Sequence, residues 1–239
     1  MNARNRTISA LGLWLIPVAL FGLAQRGLAS EESVDQATKK ALALDISLKH
    51  GRSIYQAQCT ACHGNGALGD PRRSIPALAG QRFAYIVRQL ANFAGEEREN
   101  DSMHRVTSRL GVGAPQAWAD LAGYLSCMPP NRAAETGDGT HLALGRGIFH
   151  EQCASCHQQD ARGDEDGLIP ALTGQHYSYL MGQMRQLAAD RRHNVDEDLL
   201  RFLRSFDEPE IQGVADYLSR QHAHGKNHEV MRENGTVVD

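Results

Sequence analysis

The string CTACHGNGALGDPRRSIPALAGQ, which starts at Cys59, returns as CASCHQQDARGDEDGLIPALTGQ, which starts at Cys153. Adding 94 to a residue number in the first half lands on its counterpart in the second, without a gap, from Gly51/Gly145 to Gln89/Gln183. Arg52/Arg146, Ile54/Ile148, Tyr55/Phe149 and Gln58/Gln152 precede the cysteines. Ile75/Ile169, Pro76/Pro170, Ala77/Ala171, Leu78/Leu172, Gly80/Gly174, Gln81/Gln175, Tyr85/Tyr179 and Gln89/Gln183 follow them. So many matches in register mean duplication. Two copies are too few for a stacked solenoid, and each is long enough to bury a core, so the repeat predicts two globular domains.

The pattern inside each copy is helical. GRSIYQAQC and GRGIFHEQC place an aromatic residue, Tyr55 or Phe149, one helical turn before the first cysteine and run straight into it. FAYIVRQLANFA and YSYLMGQMRQLA have an amphipathic helical period, as do APQAWADLAGYLS and EPEIQGVADYLSRQ, with Pro115 and Pro209 near the helix starts. Loops containing Gly and Pro lie between, and strand signals are absent. Trp118, Leu121 and Tyr124, at spacings of three, are expected to pack with Tyr217 between the terminal helices. The fold class is therefore all-α.

Cysteine spacing carries the chemistry. Of five cysteines, four form two Cys-x-x-Cys-His units, Cys59/Cys62/His63 and Cys153/Cys156/His157, and Cys127 stands alone. Two thiols on one side of a helical turn suit thioether bonds to the two vinyl groups of one haem, with the adjacent histidine reaching the iron. A zinc site built from both pairs is disfavoured, because a histidine follows each pair and the duplicated domains would hold the pairs apart. Thioredoxin-like chemistry would need a βαβ context that is missing. The expected cofactors are two covalently attached c-type haems, whose burial would also help copies this small to close a core. Cys127 is expected to be a buried small hydrophobe.

These motifs make the chain resemble the dihaem class I cytochromes c of the cytochrome c4 type, over roughly residues 45 to 221. The resemblance implies two tandem class I cytochrome c domains. It also implies that the carbonyls of Pro76 and Pro170 orient His63 and His157, as partners that fix the ring plane and tautomer. The family's sixth ligand is a methionine ahead of the last helix, and Met103 in ENDSMHRVTSRL supplies it in the first copy. A thioether favours ferrous iron, and a six-coordinate iron rearranges little when its charge changes.

The second copy departs from this pattern. Matching MHRVTSRL to LLRFLRSF puts Leu199 opposite Met103, and no methionine occurs between Met184 and Met231. Three arrangements stand open for the second iron. In one, His193 is its ligand. In another, Met181 or Met184, residues better suited to core packing, approaches it. In the third, the site is open, lined by Leu199 and Leu200.

The chain begins with Arg4 and Arg6 ahead of an apolar run from Ile8 to Ala24, then Gly27 and Ala29, which reads as a signal peptide over residues 1–29. A membrane association would follow only if that segment stayed as an anchor. Its removal takes away Arg4, Arg6 and Arg26 and no acid, so 25 basic residues fall to 22 against 28 acids, a formal charge of −6. With no long basic run, nucleic acid is excluded as a partner. The expected division is then a first domain over 45–128, a linker over 129–140, a second domain over 141–221 and a polar tail over 222–239. The function these readings favour is electron transfer in the periplasm between protein partners such as a terminal oxidase, reductase or dehydrogenase, with no catalytic residues of its own. Two rival readings stand beside it: the haem subunit of a dehydrogenase complex, and a ligand-binding or peroxidase-like enzyme using an open second haem.

Overall fold

Each half is organised on the crossing of the helix that leads into its Cys-x-x-Cys-His unit with its last helix, and glycine permits both crossings. In the computed structural model, which describes residues 34–110, 114–192 and 194–222, a Cβ on Gly51 would lie 1.9 Å from the carbonyl oxygen of Asp120. One on Gly145 would lie 1.9 Å from the backbone of Gly213. Only the missing side chain lets the backbones approach this closely.

Along the first half, residues 34–42 form helix α1. It is followed by α2 (Leu48–Gln58), α3 (Thr60–His63), α4 (Phe83–Ala94), α5 (Asp101–Arg109) and α6 (Pro115–Ser126). The second half runs α7 (Leu142–Ile148), α8 (Ala154–His157), α9 (Tyr177–Ala188), α10 (Glu197–Leu203) and α11 (Glu208–Ser219). Among the described residues there is no sheet, only the isolated bridges Asp70 to Ile75 and Asp164 to Ile169, which are 94 apart like the sequence copies. No helix among them is long and apolar enough to cross a membrane.

Duplication extends to the backbone. Six left-handed positions recur at the same offset: Gly64/Gln158, Ala67/Ala161, Gly69/Gly163, Ser74/Leu168, Gly80/Gly174 and Glu96/Asp190. Non-glycine residues pay roughly 1–2 kcal/mol for this conformation, so the loop after each histidine has one shape that its surroundings impose twice. The copies differ just before the second motif, where the backbone widens into a π turn over Phe149–Cys153, whereas α2 runs regularly into Cys59.

Each half has its own core. Tyr55, Val87, Leu90, Trp118, Leu121 and Leu125 pack together in the first, and Ile148, Phe149, Leu180, Met181, Val214 and Leu218 in the second. Trp118 and Leu121 do not pack with Tyr217, contrary to expectation. Tyr124 stacks on Tyr55 at 5.8 Å between ring centroids and Tyr217 on Phe149 at 5.4 Å, because each last helix crosses the helix that leads into the cysteine motif of its own half. Val34 and Ala41 of α1 join the first core, so this half begins ahead of residue 45. Val34, Ala37, Thr38, Ala41 and Leu42 carried a helical period that marked this segment. The polar stretch between α6 and α7 is strapped down: Gly137 and Gly139 donate to the buried Asp216, and Arg220 donates to the carbonyl of Gly137. The expected signal segment and most of the expected tail lie outside the described residues.

Candidate functional site

Helix α2 delivers Cys59, and the single turn of α3 that follows carries Cys62 and His63; α8 places Cys156 and His157 after Cys153 in the same way. Cys59 and Cys153 are half-buried while Cys62 and Cys156 are exposed. Burial, with the neighbouring cysteine adding to it, pushes the Cys59 and Cys153 thiols up to about 11, so both are protonated at neutral pH.

The histidines are held alike. Nδ1 of His63 donates to the carbonyl oxygen of Pro76 at 3.1 Å, and Nδ1 of His157 to that of Pro170 at 3.3 Å. A carbonyl can only accept, so the proton sits on Nδ1 and the Nε2 lone pair is left for a metal. Burial holds both imidazoles below their usual pKa, against the effect of these hydrogen bonds, and keeps them neutral.

Met103 is half-buried in the first turn of α5, whose cap Asn100 accepts from its backbone N–H. Adjacent His104 is turned away, with Nδ1 on the carbonyl of Phe93 at 2.9 Å. In α10 the cap is Asp196. Counting from each cap, Leu199 occupies the third helical position that Met103 occupies in α5, and it is 38 % exposed. Met181 and Met184 belong to the core of the second half, Met184 also touching the small cluster of Leu187, Leu200 and Leu203. Cys127 is half-buried at the end of α6, and burial raises its thiol. His193 lies outside the described residues.

The two histidine loops meet at one interface, which exchanges hydrogen bonds in pairs. Ala77 N–H donates to Gln175 Oε1 at 2.9 Å and Ala171 N–H to Gln81 Oε1 at 2.8 Å. In return, Gln175 Nε2 donates to the Ala77 carbonyl and Gln81 Nε2 to the Ala171 carbonyl, both at 2.9 Å. Arg82 Nε donates to the carbonyl of Arg162, and His176 Nε2 to that of Leu68, its counterpart. Glu165 of the second half caps α4 of the first by accepting from Phe83 and Ala84 N–H.

Beside these loops lie two arginines that the sequence reading passed over, although they too are 94 apart. Arg98 and Arg192 are each 8 % exposed. Arg98 donates to Gln89, Gln183 and Tyr179, and Arg192 to Gln183, Gln89, Tyr85 and Asn194. Among the described residues no carboxylate pairs with either. Burial raises the Tyr85 phenol, but Arg192 and Arg98 together outweigh it and hold the phenol below its usual value. Two buried cations surrounded by neutral acceptors make a strongly positive site that calls for an anion.

Thiol pairs one turn apart, a neutral imidazole with Nε2 available in each half, and an anion-seeking centre between them fit two haems, each bringing two vinyl groups, an iron and carboxylate side chains. Zinc does not fit: among the described residues no three His, Cys, Asp or Glu side chains converge.

Comparison with known proteins agrees. Residues 47–138 match the family model for cytochrome c oxidase, cbb3-type, subunit III, and residues 142–221 match that for cytochrome c. A thiosulfate dehydrogenase electron acceptor of Stutzerimonas stutzeri (strain A1501) is 31 % identical over 198 residues, 74 % of this chain and 89 % of the relative. Cytochrome c4 of Azotobacter vinelandii is 28 % identical over 161 residues, 60 % of this chain and 74 % of the relative. The fold is shared with reduced cytochrome c4 from Pseudomonas stutzeri at a TM-score of 0.65 and 22 % identity, covering 75 % of this chain and all of that one. The chain belongs to the cytochrome c4-like dihaem cytochromes c, electron carriers with two covalently attached c-type haems.

Proposed function

We propose that this protein is a periplasmic carrier with two unlike haems, taking electrons from a dehydrogenase and passing them to an oxidase or reductase. In this reading Cys59 and Cys62 bind the first haem and Cys153 and Cys156 the second, through thioethers. His63 and His157 are the fifth ligands, oriented by the carbonyls of Pro76 and Pro170. Met103 would complete the ligand set of the first iron, and Leu199 would leave the second without a thioether, with His193 as its ligand or the site open. The family domains are residues 45–128, extended by α1, and 141–221. When bound, the haems supply one-electron exchange between ferric and ferrous iron.

The observation that carries the reading is the reciprocal contact of the two histidine loops, Pro76–Gln81 against Pro170–Gln175. It holds the two iron-binding segments against each other, an arrangement suited to passing an electron within one molecule. Arg98 and Arg192 supply the cations for haem carboxylates at that contact. A thioether raises an iron's potential relative to a second nitrogen ligand, so with His193 on the second iron electrons would enter at the second haem and leave from the first. The name of the Stutzerimonas stutzeri relative supports a dehydrogenase as donor, and the basic, then apolar, residues 4–24 support export.

Anaerobic mixing of the oxidised protein with a thiosulfate dehydrogenase and thiosulfate tests this. Both haems are expected to be reduced, and the chain alone is expected to leave thiosulfate unchanged. Oxidation of thiosulfate by the chain alone would make it an enzyme, and failure of the dehydrogenase to reduce it would remove that class of donor.

A further inference from the structure

We infer that each half tunes the iron ligand of the other half: Gln175 acts on His63, and Gln81 acts on His157. The inference rests on the reading of these histidines as iron ligands. The carbonyl of Pro76 and the N–H of Ala77 belong to one peptide unit. His63 Nδ1 donates to that unit's oxygen, and the same unit's N–H donates to Gln175 Oε1. The result is an uninterrupted line from imidazole through peptide to an amide of the opposite domain. The second line repeats it with His157, the Pro170–Ala171 peptide and Gln81.

Hydrogen bonds in series polarise one another. An acceptor on the N–H end of a peptide makes its carbonyl oxygen more negative, and that oxygen then draws harder on the imidazole proton. A ring whose Nδ1–H is drawn away is a stronger donor at Nε2, and the basicity of a metal-bound histidine is set by such partners. Stronger donation favours ferric iron and lowers the potential.

The geometry of the glutamines excludes a flipped amide. Gln175 Oε1 accepts from the N–H groups of both Ala77 and His176, and Gln81 Oε1 from those of both Ala171 and Arg82. Each oxygen is thus pinned by two donors, and each Nε2 is turned to the opposite Ala carbonyl. Gln175 is only 6 % exposed, so water does not substitute for it freely. Both glutamines are positioning residues, acting on the iron through a peptide and a histidine.

The test uses the full two-haem chain, with the two midpoint potentials followed separately through haem methyl resonances assigned by their couplings to His63 or His157. Gln175→Leu is expected to raise the potential of the first-domain haem and leave the second unchanged. Gln81→Leu is expected to do the converse. Gln175→Glu restores an acceptor for Ala77 N–H whether ionised or not, and should hold the first potential at or below its original value. A shift confined to the mutated residue's own domain, equal shifts of both haems from loss of docking, or no shift would each overturn the inference. Intact mass of every variant reports the attached haems, so loss of the haem reading itself would be seen separately.

Discussion

Gly145→Ala is expected to destabilise the second domain by about 3 kcal/mol, the upper end of the usual cost of overpacking, while Gly147→Ala, two residues away, stabilises it. The new methyl at 145 would sit 1.9 Å from the Gly213 backbone, and backbone cannot swing aside as a side chain does. At 147 a Cβ meets nothing within 4 Å, so only the helix propensity of alanine remains, worth up to about 1 kcal/mol over glycine. Denaturant unfolding followed at each haem separates the domains, which need not unfold together. Gly51→Ala should repeat the large loss in the first domain, against Asp120. Equal behaviour of the 145 and 147 variants would contradict the close helix crossing on which each half is built.

Arg98→Met is expected to weaken the haem-loaded protein by about 2–5 kcal/mol, the cost of leaving one partner of a buried charge pair alone. Arg192→Met should do the same. The sign is informative. If no anion lay beside them, removing one of two buried like charges would relieve repulsion and stabilise the protein. Because a nearby cation favours the less positive ferrous iron, each variant should also lower the potential of at least one haem. Increased stability with unchanged potentials would show that the guanidinium pair does not hold haem carboxylates.

Much of this was legible in the sequence because the chemistry is local. Cys59, Cys62 and His63 fall within five residues, and the spacing alone names a haem attachment site twice over. Helices α4, α6, α9 and α11 followed from periodicity, and the shared offset foretold paired domains. The cross-domain contacts were not legible. Gln81, Gln175, Arg98 and Arg192 carry no periodic signal, and their partners are far away in the chain and mostly neutral. The offset of 94 nonetheless reaches as far as Arg98/Arg192, nine residues past the last pair recognised, and a buried cation kept in both copies is the trace that was available. Pairing Tyr217 with Trp118 failed because hydrophobic spacing identifies a buried face without saying which helix covers it. The π turn before Cys153 had no signal either, since GRGIFHEQC and GRSIYQAQC share the same period.

The inequality of the two irons is the central claim, and it rests on Met103 and Leu199 standing at the same position of α5 and α10. The most direct measurement is the paramagnetic resonance spectrum of the oxidised protein, recorded with its electronic spectrum before and after Met103→Ala. Two distinct iron signals are expected, only one with thioether coordination, and that one should vanish in the variant while the other stays. Two thioether-bound irons in the parent protein, or a thioether signal that survives the substitution, would contradict the account.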